Sequence, residues 1–203
     1  MDELDELRAK AVEDMSARTG CAPYLAAFRG ARVDEGDAVS TRLRGRDARA
    51  TAAHMEEAAS VVGGGSTLAG AMIAARSRLL WRCGYADDVA AGDNYHERAA
   101  AAVLCGPGAP FEGGTPEAPG RGGVFFVREG VRYAPHMHAP DEIYAIVAGR
   151  ARFWSEAGWR EAGAGETIFT PSWAPHGMET TMGPVLILWA WIGDGLDAPL
   201  TIC

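Results

Sequence analysis

The sequence predicts a mainly β protein, with a jelly-roll-like barrel in its C-terminal part and an α-helical region in front of it. Residues 124–203 contain about eight short β-rich runs separated by glycine turns, as in barrels and sandwiches. Residues 1–105 show helical periodicity, and residues 106–123 are more than half Gly and Pro. We therefore expect a helical N-terminal region (1–105) packed on the barrel, a linker or loop (106–123) and the barrel itself (124–203).

The first helix is predicted over residues 2–17. Acidic residues crowd its start, which suits the helix dipole, and Gly20 and Pro23 mark its end. Its apolar positions recur at helical spacing along one stripe: Leu4, Leu7, Ala11, Val12 and Met15.

Further helices are predicted over residues 47–60, 67–82 and 94–104, from Ala-rich composition and from capping residues. Ser66 and Asp93 are the expected caps of the second and third of these helices. The glycine run at 63–65 precedes no Lys-Ser/Thr pair, so a phosphate loop is not expected there. His54 and His96 lack partners at metal spacing and are interpreted as structural; alternatively, His96 lines a pocket mouth with Tyr95.

Composition excludes several classes of function. The net charge is −8 and Lys10 is the only lysine, so nucleic acid and anionic membranes are not expected partners. No apolar run approaches the ~18 residues that span a bilayer, and the N-terminus lacks the features of a secretory signal. Four scattered cysteines form no C-x-x-C pair and are expected to be reduced. These features together predict a cytoplasmic protein.

In the barrel, strands are predicted over residues 124–128, 143–148, 151–155, 159–161, 166–170, 177–181 and 185–192, with a turn at Gly149. The last strand, VLILWAWI, is apolar on both faces. We expect the barrel interior to cover one face, and helices or a second subunit of a homodimer to cover the other.

A possible metal site lies between residues 130 and 149. His136 and His138 are two residues apart, which places both on one face of a strand at about 6.6 Å spacing. Glu142 follows, and His176 stands in a separate motif downstream. Imidazole and carboxylate are common ligands of divalent transition metals, whereas the alternative interpretation is a chance pair of surface histidines.

These residues resemble the two half-motifs of the cupin family. The first half-motif matches residue for residue: Gly130-x5-His136-x-His138-x3-Glu142-x6-Gly149. The second is closely similar, as Gly165-x5-Pro171-x4-His176. The resemblance covers roughly residues 124–192. It implies a small cupin barrel that holds one metal ion on His136, His138, Glu142 and His176.

Two tyrosines flank the possible ligands. Tyr133 precedes His136 by three residues, and Tyr144 follows Glu142 by two, on the same strand face. A phenol has an ordinary pKa near 10, and a nearby divalent cation lowers it, which yields a phenolate able to remove a proton from carbon. The alternative is that both tyrosines are barrel core. Five of the six tryptophans also lie in the barrel half, where an indole face would suit a cationic ligand.

The pattern Tyr133-x2-His136-x-His138-x3-Glu142-x-Tyr144, with His176 downstream, resembles the cupin-type dimethylsulfoniopropionate (DMSP) lyases. The resemblance implies a small zwitterionic sulfonium substrate that is cleaved by β-elimination to dimethyl sulfide and acrylate. Zn, Fe(II), Mn, Co or Ni could serve, because the reaction needs no redox change. In our hypothesis Tyr144 is the general base, and Tyr133 orients the substrate or binds the metal; the reverse assignment stays open.

Two other functions fit a cupin metal site. One is an Fe(II) cupin dioxygenase acting on a small thiol or diketone, which would consume oxygen. The other is a non-enzymatic cupin that binds a metal or small molecule. The paired tyrosines favour the lyase, because a protein that only binds has less use for two phenols beside a metal.

Overall fold

The structure is a computed structural model that describes residues 2–33, 47–60, 67–83, 94–115 and 118–203. Its α-helices are α1 (Glu3–Ala17), α2 (Arg49–Ala52), α3 (Met55–Ser60), α4 (Thr67–Ala75) and α5 (Tyr95–Arg98), with 3-10 turns at Ala22–Phe28 and Arg76–Arg78. Its strands are β1 (Trp81–Arg82), β2 (Ala99–Cys105), β3 (Gly120–Val127), β4 (Arg132–Met137), β5 (Asp141–Ser155), β6 (Gly158–Gly163), β7 (Thr167–Thr170), β8 (His176–Glu179), β9 (Val185–Ile192) and β10 (Thr201–Ile202). The predicted fold class, mainly β with helices in front, is confirmed.

Helix α1 forms as its sequence predicts. The carboxylate of Asp2 caps it by accepting hydrogen bonds from the backbone N–H groups of Leu4 and Asp5, at 3.0 and 2.9 Å. The predicted stripe faces inward, and four of its five members are buried: Leu4, Leu7, Ala11 and Met15. Full burial of a leucine side chain contributes about 1.5–3 kcal/mol, so this stripe anchors the helix to the rest of the protein.

The described strands form one curled antiparallel sheet, in the order β1-β2-β3-β9-β5-β8-β4-β10, with β6 and β7 also paired to β5. The fifteen-residue strand β5 joins the two sides of the curl. Its residues 141–149 pair with β9, and residues 150–155 pair with β6. The sequence predicted a turn at Gly149, but the strand continues through it and bends. Gly149 has φ +80°, and a Cβ there would lie 2.0 Å from the carbonyl oxygen of Pro184.

Both faces of β9 are covered, as the sequence predicted. Leu186, Leu188 and Ala190 belong to an outer hydrophobic cluster that includes residues of α1 and α4. Val185, Ile187 and Trp189 belong to a second cluster inside the curl, together with Tyr133 and Tyr144. The sequence left open whether helices or a second subunit cover the outer face of β9. In the described part of the chain, helices cover it.

Two helix predictions were wrong about where the helix ends. Residues 94–104 are helical only over Tyr95–Arg98, and the following AAAAVLC run forms β2, paired with β3. Alanine favours a helix on propensity alone, but pairing to a neighbouring strand outweighs this weak preference. Helix α4 ends at Ala75, and Trp81–Arg82 forms a strand instead.

The predicted linker also contributes to the sheet, because β3 begins at Gly120 rather than at residue 124. Gly123 allows the close approach of β2, since a Cβ there would lie 1.9 Å from the carbonyl oxygen of Ala102. The predicted helix over 47–60 is interrupted between α2 and α3.

The predicted caps Ser66 and Asp93 and the glycine run 63–65 lie outside the described residues. None of the helices in the described ranges is long and apolar enough to cross a bilayer.

Candidate metal centre

The four possible ligands are carried by three strands and a short connection. His136 lies near the end of β4, His138 just beyond it, Glu142 at the start of β5 and His176 at the start of β8. The β4–β8 pairing places His136 directly opposite His176. All four side chains are buried, with exposed fractions of 2–6%. The local motif and the strand pairing together bring the four residues to one point.

The ring nitrogens of His136, His138 and His176 lie within 4.8 Å of one another. The Oε2 atom of Glu142 lies 3.4 Å from Nε2 of His138 and 3.1 Å from Nε2 of His176. Three imidazoles and a carboxylate oxygen thus converge on a volume that one metal ion would fill. In the described part of the chain, no other group of His, Cys, Asp and Glu side chains comes together in this way.

Backbone carbonyls fix which nitrogen of each imidazole faces the cluster. The three Nδ1 atoms lie 2.9–3.0 Å from the carbonyl oxygens of Ala134, Pro140 and Ala174. A carbonyl oxygen can only accept, so each Nδ1 carries the proton and donates it. Each Nε2 is then left with a lone pair, as a metal ligand requires.

Three of the converging atoms have no hydrogen-bond partner although they are buried: Nε2 of His138, Nε2 of His176 and Oε2 of Glu142. Buried polar atoms without partners cost about 1–3 kcal/mol each, and such a cluster is expected only where something else satisfies it. A divalent transition metal would satisfy all three at once. The residues present therefore fit a metal ion.

The electrostatics of the cluster suit a cation. Burial, reinforced by the charge on His176, lowers the pKa of His136 to about 3, so this imidazole is neutral at pH 7. Burial acts to raise the pKa of Glu142, but the adjacent imidazoles of His138 and His176 favour the ionised carboxylate, outweigh burial and hold the pKa well below its usual range. Burial acts to lower the pKa of His176, and interaction with Glu142 raises it above the ordinary value. A neutral imidazole and an ionised carboxylate are the forms that bind metal.

Trp191 orients the carboxylate. Its indole Nε1 donates a hydrogen bond to Oε1 of Glu142 at 2.5 Å, and its ring lies 4.6 Å from the ring of His138. This role was not predicted from the sequence, where Trp191 is only one of five tryptophans whose indole face would suit a cationic ligand. The β5–β9 register, which pairs Glu142 with Trp191, is a long-range feature that no local pattern contains.

The two tyrosines contact the cluster region in different ways. The ring of Tyr133 stacks on His136, with centroids 4.1 Å apart and planes 15° apart. Tyr144 lies one same-face step from Glu142 along β5 and lines a cavity of about 170 Å³ together with His176. Both tyrosines contact Phe125, with ring centroids 6.1 Å away in each case. The flanking positions expected from the sequence are thus close to the cluster in space.

The N-terminal region contributes a buried tyrosine beside Tyr133. Tyr95, on α5, is buried against Tyr133 with ring centroids 4.5 Å apart, so it packs inside rather than at a pocket mouth. His96 contacts the sulfur of Cys83 at 3.1 Å. His54 is exposed and pairs with Glu57 at 2.5 Å. Neither histidine belongs to the metal-ligating group found among the described residues.

Comparisons with known proteins all point to one family. The profile of the dimethylsulfoniopropionate lyase family matches residues 37–187. Dimethylsulfoniopropionate lyase DddQ of Ruegeria pomeroyi is 35% identical over 131 residues, which is 64% of this chain and 63% of that relative, or less than two thirds of its length.

Two solved structures align with almost the whole chain. A chain from the crystal structures of the DMSP lyases RdDddP and RnDddQII gives a TM-score of 0.74 at 28% identity, over 99% of this chain and 97% of its own. The crystal structure of DMSP lyase DddQ from Ruegeria pomeroyi DSS-3 gives 0.72 at 28% identity, over 98% and 96%. The similarity therefore extends over both the helical region and the strands.

Proposed function

The chain belongs to the dimethylsulfoniopropionate lyase family, and from that premise we propose that it is a carbon–sulfur lyase that cleaves DMSP to dimethyl sulfide and acrylate. The observation that carries this proposal is the convergence of three buried imidazoles and one carboxylate beside a cavity that Tyr144 and His176 line together. A cation-binding cluster and a tyrosine that line one cavity support the chemistry of this reaction.

The proposed ligands of a single divalent metal are His136, His138, Glu142 and His176. When bound, the metal supplies positive charge for the substrate carboxylate and so stabilises negative charge that develops at the α-carbon. Support comes from the unpartnered Nε2 and Oε2 atoms and from the carbonyls that fix the imidazole tautomers. Zn, Fe(II), Mn, Co and Ni all accept this donor set.

Tyr144 is the proposed general base. Its phenolate oxygen takes the α-proton, the electrons of that C–H bond form the double bond of acrylate, and the β-carbon–sulfur bond breaks. Dimethyl sulfide leaves as a neutral molecule, so the positive charge of the sulfonium is neutralised and no oxidant is needed. The placement of Tyr144 on the ligand-bearing face of β5 supports this role.

Tyr133 is the proposed orienting residue. Its ring stacks on His136 and also contacts the ring of Tyr95 at a tilt of 37°, so its position is fixed by packing. A phenol held in this way can direct the substrate toward Tyr144 or contribute an oxygen to the metal. Phe153 and Ile168 add apolar surface to a cavity that polar residues such as Arg160 and Thr170 also line.

One assay tests the proposal against its alternatives. Purified protein supplied with a divalent metal and DMSP should release dimethyl sulfide and acrylate in equal amounts, without oxygen uptake. Headspace gas chromatography, acrylate chromatography and an oxygen electrode measure the three quantities. Oxygen consumption without dimethyl sulfide would identify a dioxygenase, and metal binding without any turnover would identify a binding protein; either result contradicts the proposal.

A further inference from the structure

We propose that Trp189 is a substrate-binding residue whose indole N–H donates a hydrogen bond to the carboxylate of the bound substrate. This inference rests on the proposed function and deepens it, because it names the end of the substrate that this side of the barrel recognises.

The indole nitrogen of Trp189 is buried and has no hydrogen-bond partner. The side chain is only 8% exposed, so bulk solvent does not satisfy the N–H. Other indole nitrogens of the described chain do find acceptors: Trp81 donates to the carbonyl of Arg76 at 2.7 Å, and Trp191 donates to Glu142. A buried tryptophan normally pairs its N–H, so an unpaired one indicates a missing acceptor.

Trp189 lies next to the proposed reaction site. It pairs with Tyr144 across β5 and β9, and it belongs to the hydrophobic cluster inside the curled sheet. The adjacent same-face pair on these strands is Glu142 with Trp191, about 6.6 Å further along. The rings of Trp189 and Trp191 are 5.5 Å apart. The side chain of Trp189 therefore neighbours both the proposed base, Tyr144, and the proposed carboxylate ligand, Glu142.

The chemistry of DMSP indicates which end of the molecule meets this donor. The dimethylsulfonium end is a cation without a hydrogen-bond acceptor, whereas the carboxylate has two acceptor oxygens. A carboxylate can face the cation-binding cluster and still accept a bond from the indole. Hydrogen bonds to a charged acceptor are roughly twice as strong as neutral ones, so this bond would favour carboxylates and hold the α-carbon beside Tyr144.

The test compares Trp189→Phe with wild type in the metal-loaded protein, by calorimetric titration of two probes. Acrylate carries the carboxylate alone, and trimethylsulfonium carries the cation alone. Loss of the N–H should raise the Kd for acrylate by roughly tenfold or more and leave the Kd for trimethylsulfonium unchanged. Trp159→Phe, which changes a more exposed tryptophan, is the matched control and should leave both values as in wild type.

Several outcomes would overturn the inference. These are an unchanged Kd for acrylate, equal weakening of both probes, or no acrylate binding by the wild type. If Trp189→Phe does not fold, replacing Trp189 by 3-benzothienylalanine keeps the shape of the indole and removes only the N–H. Binding is measured without turnover, so the two proposals can fail separately. If the wild type makes no dimethyl sulfide but Trp189→Phe still weakens acrylate binding, the lyase proposal is refuted and the carboxylate site is retained.

Discussion

The two oxygens of the buried Glu142 carboxylate have different partners, and Trp191 is one of them. The indole Nε1 of Trp191 holds Oε1 at 2.5 Å, and Oε2 faces His138 and His176 at 3.4 and 3.1 Å. The indole thus fixes the rotation of the carboxylate and presents its second oxygen to the imidazoles. Outer residues of this kind commonly determine how tightly a metal site binds.

Trp191→Phe should weaken metal binding by about 10–100-fold, because Oε1 of Glu142 loses the indole donor and the carboxylate can rotate. Competition against a chromophoric chelator measures the affinity. Trp159→Phe again serves as the control and should bind metal like wild type. Wild-type affinity in Trp191→Phe would show that the indole does not orient the ligand.

Tyr144→Phe should retain its metal content and lose dimethyl sulfide production by about 10²–10⁴-fold, because a general base contributes that much to the rate. Metal analysis of the purified variant measures its metal content, and headspace chromatography measures dimethyl sulfide production. Tyr133→Phe is the matched comparison and should keep part of its activity. If Tyr144→Phe remained active and Tyr133→Phe were inactive, the two tyrosines would exchange roles.

The stability of the metal-free protein should fall as the pH is lowered from about 6.5. Burial lowers the pKa of His136 from its ordinary 6.5 to about 3, so between these values the unfolded chain binds a proton that the folded chain does not. The stability due to neutral His136 is therefore complete above pH 6.5 and is lost progressively as pH falls toward 3. Urea unfolding at pH 7, 6 and 5 measures this loss.

His136→Gln should show a shallower pH dependence than wild type in the same experiment. The raised pKa of His176 acts in the opposite direction, adding stability at low pH, but it is present in both proteins. The difference between them isolates His136. If the free energy of unfolding fell equally with pH in both proteins, His136 would not be the group that causes the loss.

Gly149→Ala should destabilise the fold more than Gly158→Ala. Both glycines have positive φ, so each alanine adds backbone strain of about 1–2 kcal/mol. Only at Gly149 does the new Cβ also collide with backbone, 2.0 Å from the carbonyl oxygen of Pro184, whereas Gly158 has open space. Thermal and urea unfolding compare the two, and equal destabilisation would refute the view that β5 must bend at Gly149.

The local part of the candidate site could be predicted from the sequence. His136, His138 and Glu142 are close in the chain, and alternation along a strand already places the histidines on one face. Their meeting with His176 rested on a family resemblance rather than on geometry. The β4–β8 pairing that produces it is a contact between segments forty residues apart.

The residues that the sequence analysis missed depend on long-range pairing. Trp191 reaches Glu142 only through the β5–β9 register, and Tyr95 contacts Tyr133 although the two lie far apart in the chain. The strand Ala99–Cys105 was mistaken for a helix for the same reason, since alanine propensity acts locally and the pairing with β3 does not. Sequence patterns therefore predicted the candidate ligands, whereas the residues packed around them depend on strand pairing.

The most direct test of the account measures metal content and dimethyl sulfide release in the same preparation. We expect one divalent metal ion per chain, complete loss of dimethyl sulfide release when a chelator removes it, and recovery when the metal is restored. His176→Ala, which removes one ligand, should not recover. Undiminished release of dimethyl sulfide by fully metal-free protein would contradict the proposal that the His136, His138, Glu142 and His176 cluster acts by holding a cation.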